Sequence, residues 1–154
     1  MTAAGFPGRA TVLVVDMSNV IGSVPDGWWH DRAAAAERLL TGLDLLAGRT
    51  VPGPNGAPIE MAGIVAVLEG NANAARRSDE HTHAGPVEVI RATGSGDDEI
   101  VEQVARVSVG GRHVLVVTAD RGLRARLPAL VATTGPGWIN GLLDRRPTRR
   151  RPSE

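Results

Sequence analysis

Three groups of aspartates stand where an apolar run ends or a helical pattern begins: Asp16 in VLVVDMSNV, Asp97 and Asp98 in TGSGDDEIVEQV, and Asp120 in VLVVTADRGLR. In a mostly parallel α/β sheet the carboxyl ends of the strands share one edge, and ligands bind in the crevice outside it. Carboxylates gathered at such an edge repel one another, so they either take up protons or hold a cation. Glu69, at the end of GIVAVLE, is a candidate fourth member. The chain has no cysteine, so a metal would be held by oxygen or imidazole, and a hard cation such as Mg²⁺ or Mn²⁺ fits best. The layout suits metal-assisted hydrolysis of a phosphodiester.

Each acid also has a purely structural reading. Asp16, followed by Met17, Ser18 and Asn19, can cap a turn. Ser95 followed by Asp98 resembles a capping box at a helix start, and Asp120 can cap a helix that begins at Arg121. Asp97 is harder to explain that way. At about 100° per residue it lies about 20° from Val104 and about 60° from Ile100, on the line of the apolar stripe, so its carboxylate needs a partner. Two other metal motifs fail on the residues themselves. A haloacid-dehalogenase-type site needs a second Asp where Ser18 stands, and a DxSxS site needs a second serine where Val20 stands.

The elements that must position these groups are legible as short apolar runs. Thr11 to Val15, Ile64 to Leu68, Val87 to Ile90 and His113 to Thr118 suit strands covered on both faces. Ala36, Leu39, Leu40, Leu43 and Leu46 define a helix stripe that starts near Asp26 or Asp31. Ile100, Val104 and Val107 define a second stripe. Leu123 to Leu127 reads as a short third helix halted by Pro128, and Ala129 to Thr133 as an edge strand before a last helical turn through Trp138, Ile139 and Leu142. RTVPGPNGAP reads as loop, and so does Glu69 to Pro86, which lacks an apolar period. Alternating strands and helices predict a parallel α/β sheet. There is no internal repeat.

At 154 residues, one domain is expected: an extension over 1–10, the α/β domain over 11–144 and an arginine-rich disordered tail over 145–154. Net charge is zero, with 17 basic and 17 acidic residues, and every basic residue is arginine. Arg145, Arg146, Arg149, Arg150 and Arg151 crowd into the tail and, with Arg76 and Arg77, would add salt-dependent affinity for nucleic acid. No apolar run approaches a membrane span or a signal peptide, so a cytoplasmic protein with no membrane partner is expected. Trp28 and Trp29 are placed to stack on unpaired bases or to anchor a loop. His81 and His83 have H-x-H spacing in a polar loop with no third ligand nearby. No G-x-G-x-x-G or P-loop run is present.

Taken together, VVDMSNVIG, GSGDDEIVE and VVTADRGLRARL resemble the NYN branch of the PIN-like nucleases in order and spacing. The chain resembles small bacterial NYN-domain proteins of the actinobacterial form, with a PDGWW segment at Pro25 to Trp29. The resemblance covers about Val12 to Leu143. It implies a three-layer α/β/α sandwich with a central mostly parallel sheet, PIN-like, and a ribonuclease that hydrolyses RNA with Mg²⁺ or Mn²⁺. Asp16, Asp97, Asp98 and Asp120 would bind metal and carry catalysis. Asn19, Arg121, Arg124, Trp28 and Arg76 would contact the nucleic acid. Some relatives have a further acid after the last aspartate, where this chain has Arg121, Arg124 and Arg126. Two alternatives stay open: a catalytically weak RNA-binding module of the same fold, and a small-molecule phosphohydrolase. A homo-oligomer and a protein partner are also left open.

Overall fold

A computed structural model describes residues 8–76 and 87–146. Strand β1, Arg9–Asp16, runs up the middle of the sheet and is followed at once by α1, Met17–Gly22. A 3₁₀ turn at Trp28–His30 leads into α2, Arg32–Leu46, whose N-cap is Asp31 rather than Asp26: its carboxylate accepts the Ala34 N–H at 3.0 Å. Next come β2, Thr50–Pro52, and β3, Pro58–Leu68, then a 3₁₀ segment at Gly70–Ala74 and β4, Val87–Arg91. Helix α3, Gly96–Val107, precedes β5, His113–Val117. Helix α4, Arg121–Ala125, β6, Ala132–Thr134, and α5, Pro136–Leu142, complete the described chain.

The six strands form one sheet in which β3, β1, β5 and β6 are successive parallel neighbours. The other edge of β3 is shared: β4 pairs parallel with Ile64 to Leu68, and β2 pairs antiparallel with Pro58 to Glu60. The stretch expected to be loop is therefore a hairpin. Its turn is closed by the Gly53 N–H donating to the Ala57 carbonyl at 2.7 Å, and Trp138 Nε1 anchors it by donating to the Pro52 carbonyl at 3.0 Å. Three-residue β2 ends in Pro52, with Pro54 just beyond it, and has no apolar alternation, so nothing in its own sequence distinguishes it from loop.

Side-chain alternation divides the core into two layers. Leu13 and Val15 face α1, α2 and α5, with Leu39, Leu40, Leu43 and Ile139. Val12 and Val14 face α3 and α4, with Ile100, Val104, Val107 and Leu123. The result is the expected three-layer α/β/α arrangement with a mostly parallel sheet. One irregularity matters for the site: β1 and β3 slip register between Thr11 and Val12, so Ala62 is an extra residue on β3. The bulge switches parity along β3, so Ile59 and Met61 below it and Ile64, Ala66 and Leu68 above it all face the same helices. It also sets the phase in which Glu69 leaves the strand.

Several expected boundaries move. β1 starts two residues earlier than its apolar run, taking part of the predicted extension into the sheet. The last strand begins at Ala132, and the DMSN turn is the start of α1. The first half of the predicted 69–86 loop is a 3₁₀ segment with Ala72 and Ala75 buried. Arg145, assigned to the tail, is part of the fold: it donates to the Val20 carbonyl at 3.2 Å and to Asn140 Oδ1 at 2.7 Å, and lies 3.7 Å from Asp26. Arg77, His81, His83, Arg149, Arg150 and Arg151 lie outside the described residues. No described helix is long and apolar enough to cross a membrane.

Ile100, fully buried, is the anchor that seats α3 against β1 and β5. Ile100→Ala is expected to cost about 2–5 kcal/mol by leaving a cavity. Urea unfolding checks this as a lower midpoint with an unchanged slope.

Candidate active site

Parallel pairing of β1 with β5 ends at Val15 and Val117, so the next residues, Asp16 and Thr118, leave the sheet side by side. Thr118 is wholly buried and Asp16 is 7% exposed. Thr118 Oγ1 donates to Asp16 Oδ2 at 2.8 Å and accepts the Asp120 N–H at 3.1 Å. One hydroxyl thus connects two of the acids and fixes its own proton toward Asp16. The other Asp16 oxygen caps α1 through the Asn19 N–H at 3.5 Å. Capping and clustering are compatible here because each uses a different oxygen.

Asp120 likewise caps α4, its Oδ1 accepting the Leu123 N–H at 2.9 Å. Asn19 Oδ1 accepts the Ala119 N–H at 2.8 Å, fastening α1 to the segment between β5 and α4. Arg124 donates from Nε and Nη2 to the Thr118 carbonyl at 2.9 and 2.6 Å, so its guanidinium braces the strand end. Arg121 is exposed at the start of α4 and makes no ion pair among the described residues.

Helix α3 brings the remaining acids. Ser95 caps it through the Asp98 N–H at 3.4 Å, and Asp97, Asp98 and Glu99 occupy its first turn, where negative charge suits the helix dipole. Glu69 Oε2 accepts the Gly96 N–H at 2.7 Å, clamping the helix start to the end of β3. A side chain at 96 would meet that carboxylate, with 2.6 Å between a Cβ and Oε2. Asp97 is half-buried, whereas Asp98 is exposed and paired with Arg126 at 2.8 Å. Arg126 thus offsets the charge of one of the four aspartates.

Trp28 is half-buried against the core, edge-on to Trp29 at 5.7 Å, with the Arg32 guanidinium 5.2 Å above its ring. One face of Trp28 is therefore covered by a cation. Trp29 is 51% exposed. Arg76 is exposed, and its backbone N–H donates to Glu37 Oε2 at 2.7 Å on the α2 side.

The electrostatics show which acids feel one another. Burial raises the Asp16 pKa above its ordinary 3.8, and the charges of Asp97 and Glu69 raise it further against the hydrogen bonds from Thr118 and Asn19. Burial also raises Asp97, reinforced by Asp120 and Glu69 and opposed by Arg126. Asp16, Glu69, Asp97 and Asp120 thus share one field. All offer hard oxygen donors. Among the described residues, however, no three acids or histidines stand close enough to form a closed metal cage. The donor chemistry fits a hydrated Mg²⁺ or Mn²⁺ that keeps several waters and takes one or two carboxylates.

Sequence reasoning missed Thr118 as a site residue. The available signal was a hydroxyl ending an apolar run two residues before Asp120. It also missed the backbone N–H groups of Gly96 and Ala119, which carry no side-chain signal, and Arg32.

No protein-family model matches the chain, and no curated protein is similar to it in sequence. Solved structures do match in architecture. Rae1 (YacP) from Bacillus subtilis superposes with a TM-score of 0.60 at 15% identity, over 86% of this chain and 73% of that one. A point mutant of the same protein gives 0.59 at 14%, over 87% and 75%. The chain has an NYN-like fold. In that NYN-like frame the acids lie at the carboxyl edge of the central strands, on β1, after β3 and β5, and at the start of α3.

Both raised carboxyls favour the protonated fold, so their stabilisation is complete below about the ordinary aspartate value of 3.8 and is lost as pH rises through their raised values. Asp97→Asn is therefore expected to raise Tm at neutral pH without divalent cations, at about 2–4 °C per kcal/mol for a chain this size, and to lose that advantage in acid. Differential scanning calorimetry across pH checks both. Thr118→Val removes a donor to Asp16 and an acceptor for the Asp120 N–H. It is expected to cost about 1–3 kcal/mol and to raise the Asp16 pKa further, readable by unfolding and by carboxyl NMR titration.

Proposed function

We propose that this protein is a ribonuclease of the NYN/PIN-like type, acting on RNA phosphodiesters with Mg²⁺ or Mn²⁺ at its acidic edge. The observation that carries the reading is the convergence of Asp16, Asp97, Asp120 and Glu69 in one field, with Asp16 and Asp97 both raised in pKa by burial and by like charge. Clustered carboxylates at a helix start and at strand ends are unfavourable for folding alone, and perturbed groups of this kind mark functional sites. One or two of Asp16, Asp97 and Asp120 would hold the hydrated cation. It would supply charge neutralisation at the phosphorus and a lowered pKa for an attacking water.

The chain's own groups divide the remaining work. Thr118 orients Asp16 and Asp120 together. Glu69 is a positioning residue, holding the start of α3 through Gly96. Asp97, half-buried and without a hydrogen bond among the described residues, orients the water. Arg121 contacts a neighbouring phosphate, while Asp98 is left to its pairing with Arg126. The RNA-binding alternative is favoured by one feature, the absence of a close-set group of three ligands among the described residues.

A labelled, partly single-stranded RNA incubated with Mn²⁺, Mg²⁺ or EDTA separates the readings. Cleavage is expected only with metal and is expected to fall by at least about 10²-fold in Asp97→Asn, the loss typical of a positioned acid–base group. Because that variant is expected to be more stable, lost cleavage would not reflect unfolding. Binding without cleavage would favour the RNA-binding module, and turnover of a generic phosphomonoester alone would favour a small-molecule phosphohydrolase.

A further inference from the structure

Beside the acidic edge lies a cleft of about 370 Å³, between α1, the Trp28 turn, the start of α2 and the segments after β3 and β4. Its size falls in the range of ligand pockets, roughly 300–1,000 Å³. Its walls are chemically unequal. Arg32 lines it, exposed and held over the Trp28 ring, with no ion pair or hydrogen bond to its guanidinium among the described residues. Glu69 lines it too, its Oε2 already accepting the Gly96 N–H. Ser18 and the apolar residues Ile21 and Ala72 complete this part of the lining. Gly70 and Gly94 leave the rim open, since a Cβ at either would meet nothing within 4 Å.

The lining thus combines a cation with no ion pair among the described residues, a carboxylate already engaged by a backbone N–H, and apolar side chains. An anion is drawn to Arg32 and repelled from Glu69. Stacked on tryptophan, a guanidinium still presents its in-plane N–H groups, and the planar fork matches phosphate oxygens. The apolar wall suits a planar, weakly polar body attached to that phosphate. We infer that this cleft takes one unpaired nucleotide of the RNA strand, with its phosphate on Arg32 and its base and sugar against Ile21 and Ala72. This deepens the ribonuclease reading and rests on it. Trp28 then serves as the platform that presents Arg32 rather than as the surface on which a base stacks. A paired base cannot enter such a cleft without leaving its helix, so the arrangement selects unpaired RNA next to the scissile bond.

The test uses the whole chain in EDTA, titrated with adenosine 5′-monophosphate and followed by NMR, including the Trp28 indole signal. Saturable binding is expected, weaker by about tenfold or more in Arg32→Gln, the loss of one charge-assisted hydrogen bond. Gly94→Leu, at a lining position where an added Cβ would meet nothing within 4 Å, is expected to weaken it comparably, and adenosine and inorganic phosphate should each bind less well than the nucleotide. In cleavage assays with Mn²⁺, an RNA unpaired beside the cut site should be preferred, and Arg32→Gln should raise KM. No saturable binding, equal affinity in Arg32→Gln, or equal cleavage of paired and unpaired RNA would overturn the cleft assignment. Cleavage with no Arg32 dependence would sink the cleft and leave the nuclease standing. Arg32-dependent nucleotide binding without any cleavage would keep the cleft and remove the nuclease.

Discussion

The hydrogen bond from Thr118 to Asp16 is the interaction on which the acidic edge depends. It exists because β1 and β5 are parallel neighbours in strict register, so that the residue after each last sheet pair lands beside the other. Its direction is set by the Asp120 N–H, which occupies the hydroxyl's acceptor side and sends the proton to Asp16. From that point the geometry spreads outward. Asp16 starts α1, Asp120 starts α4, and Asn19 and Arg124 close the loop between them with bonds to Ala119 and Thr118. A buried carboxylate is tolerated at the end of an apolar strand because two helices begin there and each needs a polar terminus.

The same economy explains how the aspartates serve two ends. As caps they satisfy orphan N–H groups at helix starts, a contribution of about 1 kcal/mol each. As a cluster they oppose one another, and at Asp16 and Asp97 that like charge adds to the burial that chiefly raises their pKa. Asp98 pairs with Arg126 in a surface ion pair of small energetic consequence, while its charge still adds to the field at Asp97.

Much of the frame was legible because it is written in period. The apolar runs of β1, β4 and β5 and the stripes of α2 and α3 appear as elements close to where their residues predict them. What escaped was written in single residues or in context. β2 has no alternation to read, and α1 is one short helix whose start looks like a turn. The Ala62 bulge is visible only once β3 is laid against β1, yet it decides which way Glu69 leaves the strand. Backbone donors such as Gly96 and Ala119 have no side chain to announce them. The acids were legible as a set, but their unequal standing was not. Asp98 and Asp97 are adjacent in sequence and differ only in which face of α3 each occupies.

The shared edge of β3 has a consequence for solubility. An exposed strand edge is a template for pairing with another chain, and natural sheets blunt such edges. Here the lower half of that edge is capped by the chain's own hairpin, and the upper half is covered by a strand of only five residues carrying Glu88 and Arg91. Both charges are engaged, Glu88 by Arg106 and Arg91 by the Asn73 carbonyl. The opposite edge, β6, is three residues long. Among the described residues the sheet therefore ends on both sides in short strands, and the one that carries charge has it tied to the chain's own side chains and backbone, as in edges blunted against pairing with another chain.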